Sequence, residues 1–142
     1  MRPLKQLIDG KPSTVTVGPD DTVFTALNLL AQFDIGALLV LEQGRLVGIF
    51  SERDYARKII LKGKASKDTA VREIMSEKVS CVTLKQTVEE CMALMTDKRI
   101  RHLPVIGPNE EVLGILSIGD LVKEVISDQK FTIEQLVSYI QN

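Results

Sequence analysis

Two aspartates close two copies of one phrase. Residues 48–54 read GIFSERD and residues 114–120 read GILSIGD, so Ser51 and Asp54 recur as Ser117 and Asp120. An aspartate carboxylate can accept both vicinal hydroxyls of a ribose, as acids do in dinucleotide folds. A serine placed where an apolar run meets a helical pattern leaves the first amides of the helix facing outward, and such amides attract anions. The same Ser-x-x-Asp spacing is also a helix N-cap, in which the hydroxyl bonds backbone N–H groups and the acid reaches back. The two roles do not exclude one another, and both readings stand at this point.

Donors and cations accompany the phrase unequally. Arg53 lies inside the first copy, where the second has Gly119. Arg101 and His102 precede an apolar run whose counterpart in the first half starts with Gly36 and Ala37. The pattern predicts sites of unequal affinity, with phosphate charge met mainly by Arg53, Arg101 and His102. Lys11, which precedes the first strand, is a further cation able to reach a phosphate. His102 is the one histidine and has no second His or Cys at metal-ligand spacing; it reads either as a ligand contact or as a structural residue. A single histidine supports no Ser–His or Cys–His arrangement. Residues 44–48 also lack the Lys-Ser/Thr ending of a phosphate loop. No catalytic residue and no metal ligand is assigned, and the expectation is a protein that is not an enzyme.

The elements that hold these residues repeat as well. Val17, Thr22, Val23, Leu29, Ile35, Leu38 and Val40 recur as Val82, Thr87, Val88, Leu94, Ile100, Leu103 and Val105, and Gly48 and Ile49 as Gly114 and Ile115. The offset changes by one residue around Gln43-Gly44 and Gly107-Pro108-Asn109, where turns absorb an insertion cheaply. Each half reads strand, helix, strand, strand, helix. The opening strands are Val15–Val17 and Cys81–Thr83. Apolar spacing of i, i+3, i+4, i+7 marks the next helices (Val23, Ala26, Leu27, Leu30; Val88, Cys91, Met92, Met95), and Thr87 with Glu90 forms a capping box for the second. Ala37–Leu41 with Leu46–Phe50, and Leu103–Ile106 with Val112–Leu116, read as hairpins buried on both faces. Closing helices carry Tyr55, Ala56, Ile59 and Ile60, and Leu121, Val122, Val125 and Ile126. The domain limits drawn are 1–66 for the first repeat with the N-terminal segment, 67–128 for the second, and 129–142 for a short C-terminal helix. Lys62–Thr69 is a polar linker, and Val71–Met75 one helical turn. The last helix, Thr132–Ile140, has its own box (Thr132, Gln135) and an apolar stripe of Ile133, Leu136, Val137 and Ile140 that should pack on the domain or on a second subunit.

The residues GALLVLEQGRLVGIFSERD (36–54), MTDKRIRHLPVI (95–106) and GILSIGDLV (114–122) resemble the paired cystathionine-β-synthase-type (CBS) domain, the Bateman module, over residues 7–128. The resemblance implies an α/β fold of α+β sandwich type, two tandem β-α-β-β-α repeats related by a pseudo-twofold with clefts between them. It implies a regulatory module that binds adenosine derivatives there: AMP, ADP, ATP, S-adenosylmethionine or NAD, none of them a catalytic cofactor. It implies a homodimer and an effector protein still to be identified. Carried over by position, Asp54 and Asp120 hold ribose hydroxyls, and Ser51 and Ser117 contact ribose or phosphate. Thr14, Val15, Ser80, Cys81 and Val82, with the hairpin entries Gly36, Ala37, Arg101, His102 and Pro104, line the base and phosphate ends. Two alternatives are an NAD-binding, redox-linked module and a structural interaction dimer with vestigial clefts.

Composition excludes other classes. A formal net charge of −1 and 4% aromatic residues without Trp argue against nucleic-acid binding. The basic residues Arg53, Arg57, Lys58, Lys62, Lys64 and Lys67 are interrupted by other types and read as a solvated face. No apolar run approaches the ~20 residues of a membrane span, and the N-terminus lacks the apolar centre of a secretory signal. With Cys81 and Cys91 read as reduced thiols, the expected address is cytoplasmic.

Overall fold

In the computed structural model, which describes residues 1–141, the chain forms α1 (Leu4–Asp9), β1 (Thr16–Val17), α2 (Val23–Phe33), β2 (Ala37–Glu42), β3 (Arg45–Ser51), α3 (Glu52–Tyr55), α4 (Val88–Lys98), β4 (His102–Ile106), β5 (Val112–Ser117) and α5 (Ile118–Gln141). Local signals explain the boundaries. Thr22 Oγ1 accepts the Thr25 N–H at 3.1 Å to start α2. Thr87 starts α4 as predicted: its Oγ1 accepts the Glu90 N–H at 3.1 Å and Glu90 accepts the Thr87 N–H at 3.2 Å. Both helices stop at a residue in the left-handed region, Asp34 (φ 50) and Arg99 (φ 55).

The chain divides into two compact units. One comprises residues 13–80 with 108–112. Its sheet runs β1-β2-β3, with β1 parallel and β3 antiparallel to β2. Ala37 pairs with Ser51 and Leu38 with Phe50, and the register shifts between Val40 and Leu41. Val17, Val23, Ala26, Leu30, Leu38, Val40, Phe50, Ile59, Val71, Ile74 and Met75 make its core. Full burial of side chains such as Phe50 stabilises by about 1.5–3 kcal/mol each. The segment read as a linker is stitched in: Val23 N–H donates to the Thr69 carbonyl and Val71 N–H to the Asp21 carbonyl, both at 2.8 Å. Lys67 lies 4.9 Å from the Phe24 ring centroid. The predicted turn at Val71–Met75 is present as a 3₁₀ turn, Val71–Glu73.

The other unit comprises residues 1–12, 81–107 and 113 onward. Its core is Leu4, Leu7, Val82, Val88, Cys91, Met95, Leu103, Val105, Leu116 and Leu121. The N-terminal segment, grouped by sequence with the first repeat, thus contributes α1 to the core of the second. The motif LKQLI (4–8) matches VREIM (71–75), and the two pieces do equivalent work. Ile8 crosses Gly114, where a Cβ would fall 2.8 Å from Ile8 Cδ1; Met75 crosses Gly48, where a Cβ would fall 2.6 Å from Met75 Sδ. Each leader therefore packs in the core of the repeat it does not precede in sequence.

Three expectations are corrected. The strand read at Cys81–Thr83 is reduced to a single parallel bridge, Val82 with Val105, because the Thr83 N–H and hydroxyl turn to Gln86 Oε1 at 2.7 and 2.9 Å. The first closing helix is short: after α3 the chain runs as a π-helix, Ala56–Ile60. The second closing helix and the last helix are one continuous α5. Between them SDQKF contains neither Gly nor Pro, and Thr132 bonds the Asp128 carbonyl from mid-helix at 3.1 Å instead of capping. The stripe on this helix does not pack on the domain; Ile133, Leu136, Val137 and Ile140 are exposed. No described helix is long and apolar enough to cross a membrane.

Candidate functional site

The repeated phrase builds the same junction in each unit, where the last strand of a hairpin delivers a serine to a helix start. In the first, Ser51 ends β3 beside Ala37, and the Glu52 N–H donates to the Gly36 carbonyl at 3.2 Å. In the second, Ser117 ends β5, and the Ile118 N–H donates to the Arg101 carbonyl at 2.8 Å. The hairpin entries singled out by sequence, Gly36-Ala37 and Arg101-His102, thus stand beside the serine phrase of their own repeat. Both junctions are capping boxes. Asp54 Oδ2 accepts the Ser51 N–H at 3.0 Å and the Ser51 hydroxyl at 3.1 Å, while the Asp54 N–H returns to Ser51 Oγ at 3.3 Å. Asp120 Oδ2 accepts the Ser117 N–H at 2.8 Å, and the Asp120 N–H returns to Ser117 Oγ at 3.2 Å.

The junctions part company one turn later. Four residues past Asp54 comes Lys58, whose ammonium lies 3.2 Å from Asp54 Oδ1 and donates to the Ile74 carbonyl at 2.9 Å. Both oxygens of the buried Asp54 are therefore engaged. Four residues past Asp120 comes Glu124, and the N-terminal segment supplies the compensating cations. Arg2 holds the buried Glu124 through its N–H at 2.8 Å, its Nε at 2.9 Å and its Nη2 at 2.8 Å. Lys11 donates to Asp120 Oδ2 at 2.5 Å and to the Ile115 carbonyl at 2.7 Å. The bonds to half-buried Asp120 all converge on Oδ2; among the described residues Oδ1 accepts none. By sequence Lys11 is only a cation able to reach a phosphate, and Lys58 part of a solvated face. The Asp54–Lys58 spacing was a readable signal for the second pair, whereas nothing local announces Lys11 with Asp120.

Electrostatics sharpen the contrast. Burial works against ionisation of Asp120, but the hydrogen bond from Lys11 and those from Ser117 outweigh it and hold the carboxyl below its ordinary value. Burial, aided by the Lys11 and Arg101 charges, pushes the half-buried His102 below its ordinary 6.5 despite the opposing pull of Asp120. This favours the neutral imidazole, which offers both a donor and an acceptor. Burial raises the thiols of Cys81 and Cys91, which suits packing more than reactivity; no disulfide joins them.

The remaining candidate residues differ in burial and in their place in the chain. Thr14 and Val15 are half-buried and lead into β1; Ser80 and Cys81 are half-buried and lead to Val82. Val82 is buried and donates its N–H to the carbonyl of buried Pro104 at 3.0 Å. Arg53 and Arg101 are exposed. Among the described residues no cluster of His, Cys, Asp and Glu could hold a metal ion.

A model of the CBS domain matches residues 8–61 and 71–127. A CBS-domain protein of Burkholderia ambifaria MC40-6 shares the fold with a TM-score of 0.85 and 47% identity, covering 90% of this chain and 96% of that one. The CBS domain-containing protein CBSX3, mitochondrial, of Arabidopsis thaliana is 46% identical over 127 residues, 86% of this chain. The present chain spans 61% of that relative's length. The CBS domain pair of protein MJ0100, solved in complex with 5′-methylthioadenosine and S-adenosyl-L-methionine, has the same fold at a TM-score of 0.80 and 22% identity, covering 90% of this chain and 98% of that one. Two repeats, matched over most of the length and shared with these relatives, make the chain a member of the CBS-domain family.

Proposed function

We propose that this chain is a regulatory module that binds adenine nucleotides of the AMP and ATP type and performs no chemistry on them. The observation that carries the reading is Asp120: one carboxylate oxygen is tied down by Ser117 and Lys11, and the other is left for a ribose hydroxyl. Lys11, bonded to Asp120, and Arg101, whose charge acts on His102, favour a ligand that brings phosphate over the cationic S-adenosylmethionine. In this reading Asp54 and Ser51 offer the equivalent ribose contact. Arg53, Arg101 and His102 meet phosphate, and Thr14, Val15, Ser80, Cys81, Val82, Gly36, Ala37 and Pro104 frame the base. The adenosine compounds bound by the MJ0100 pair support the ligand class. The Asp120 site fills first, because at Asp54 a ligand must displace Lys58. Bound nucleotide signals by its differential affinity for two arrangements of the chain, read by an effector protein; the reading includes a homodimer.

Calorimetric titration with AMP, ADP, ATP, NAD and S-adenosylmethionine tests this. One nucleotide should bind, and Asp120→Asn should weaken it about tenfold or more, the scale of a lost hydrogen bond to a charged group. Asp54→Asn should cost less, and Lys58→Met should add a second binding event. Stronger binding of NAD than of AMP would shift the reading to a redox-linked module. No heat with any ligand, from folded protein free of nucleotide, would leave both Ser-x-x-Asp junctions as helix caps and favour the interaction dimer.

A further inference from the structure

We infer that the distal part of α5 pairs with the same segment of a second copy of this chain. Every residue from Gln129 to Gln141 is exposed, yet the helix there is rich in large apolar side chains. Ile126 is 51% exposed, Ile133 59%, Leu136 56%, Val137 45% and Ile140 80%. These residues are not scattered. Ile126, Gln129, Ile133, Leu136 and Ile140 follow one another at steps of three, four, three and four, the spacing by which one helix seats its side chains between those of another. Val137 widens the stripe on one flank and Tyr139 on the other.

The spacing and the charges select the occupant. A pairing stripe with β-branched Ile alternating with Leu is complementary to itself, so an isologous contact needs no second surface. Gln129 is its one polar member, a device that sets register in paired helices. Among the positions flanking the seam only Lys130 is charged, so two copies bring no dense like charge together; Glu134 lies away from it. A lipid surface would require a basic polar face, and from Ile126 to Gln141 the segment holds one Lys against Asp128 and Glu134. Area is adequate: five large aliphatic side chains per copy, each about half exposed or more, are on the scale of the ~1,000 Å² in total expected of a specific interface. The CBS-domain match ends at residue 127, so apart from Ile126 this contact lies on chain outside the repeats. It goes beyond the proposed homodimer by saying where the copies meet, and it does not depend on nucleotide.

The test is the mass of the full chain in solution, by light scattering after size exclusion, for the wild type, for Ile133→Glu/Leu136→Glu and for Phe131→Glu, an exposed position on the opposite side of the helix. The double variant should fall to half the wild-type mass while its circular dichroism at 222 nm and its nucleotide titration stay unchanged; Phe131→Glu should keep the wild-type mass. An unchanged mass in the double variant, a monomeric wild type, or equal loss in Phe131→Glu overturns the inference. Co-sedimentation of the wild type with phosphatidylcholine/phosphatidylglycerol vesicles, abolished in the double variant without any change of mass, overturns it in favour of a lipid surface.

Discussion

The repeats disagree most sharply in one residue, and a charge reversal there shapes the site. Lys58 answers Asp54 from the next turn of its own segment, whereas Glu124 at the matching place needs Arg2, leaving Asp120 to Lys11. The aspartates and serines were legible because repetition marks them, and the hairpin entries because the two copies differ there. The pair Lys11–Asp120 was not, since the partners are 109 residues apart and only the completed fold makes them neighbours. His102 gives this region a pH dependence that can be measured. Its pKa in the folded chain lies below 6.5, so as pH falls through 6.5 the unfolded chain takes up the proton first and stability drops. Asp120, held below 3.8, acts lower: its contribution is present above 3.8 and is lost as pH falls through the folded value. Since the chain has one histidine, urea unfolding between pH 8 and pH 5 should show a decline in stability that His102→Gln largely abolishes. An identical slope in that variant would assign the titration elsewhere.

At the scale of the element, periodicity identified α2 and α4, and apolar runs identified both hairpins. The expected burial on both faces holds for β2 and β4 but not for β3 and β5, which fully bury only alternate residues. Periodicity misjudged α5, since two apolar stripes separated by polar residues look like two helices when no breaker is weighed between them. It also overlooked α1, whose six residues are too few for a periodic signal. What does reveal α1 is the match of LKQLI with VREIM, which becomes meaningful once both are seen lying over a glycine. The two glycines differ in tolerance. A methyl group at Gly48 would meet Met75 Sδ at 2.6 Å and the Ser76 carbonyl at 3.1 Å, and that carbonyl is fixed by a bridge to Ile49. At Gly114 the nearest atom is the free end of the Ile8 side chain at 2.8 Å. Gly48→Ala should therefore destabilise by about 1–3 kcal/mol, the range for overpacking, and Gly114→Ala by less, as judged from urea midpoints at unchanged slope. The reverse order would mean that the backbone at Ser76 yields more easily than the Ile8 side chain.

For the whole molecule, the decisive feature is the exchange of leaders between the two cores. The sequence gives a natural cut at KGKASKDT, but a fragment of residues 1–66 would keep Leu4, Leu7 and Ile8, which belong to the other core, and lose Val71, Ile74 and Met75, which belong to its own. Residues 13–80 retain that core entire. The fragment 13–80 should consequently melt cooperatively and 1–66 should not; cooperative melting of 1–66 would show that the leader is dispensable. The offset of the repeat could reveal the duplication but not this exchange, because a repeat in sequence carries no record of which copy a segment packs against. The exchange also bears on ancestry. A gene for one leader and one repeat would encode a chain unable to finish its own core, and two such chains would have had to trade leaders to fold. Fusing the genes would then have joined, in a single polypeptide, partners that were already bound to each other's fate.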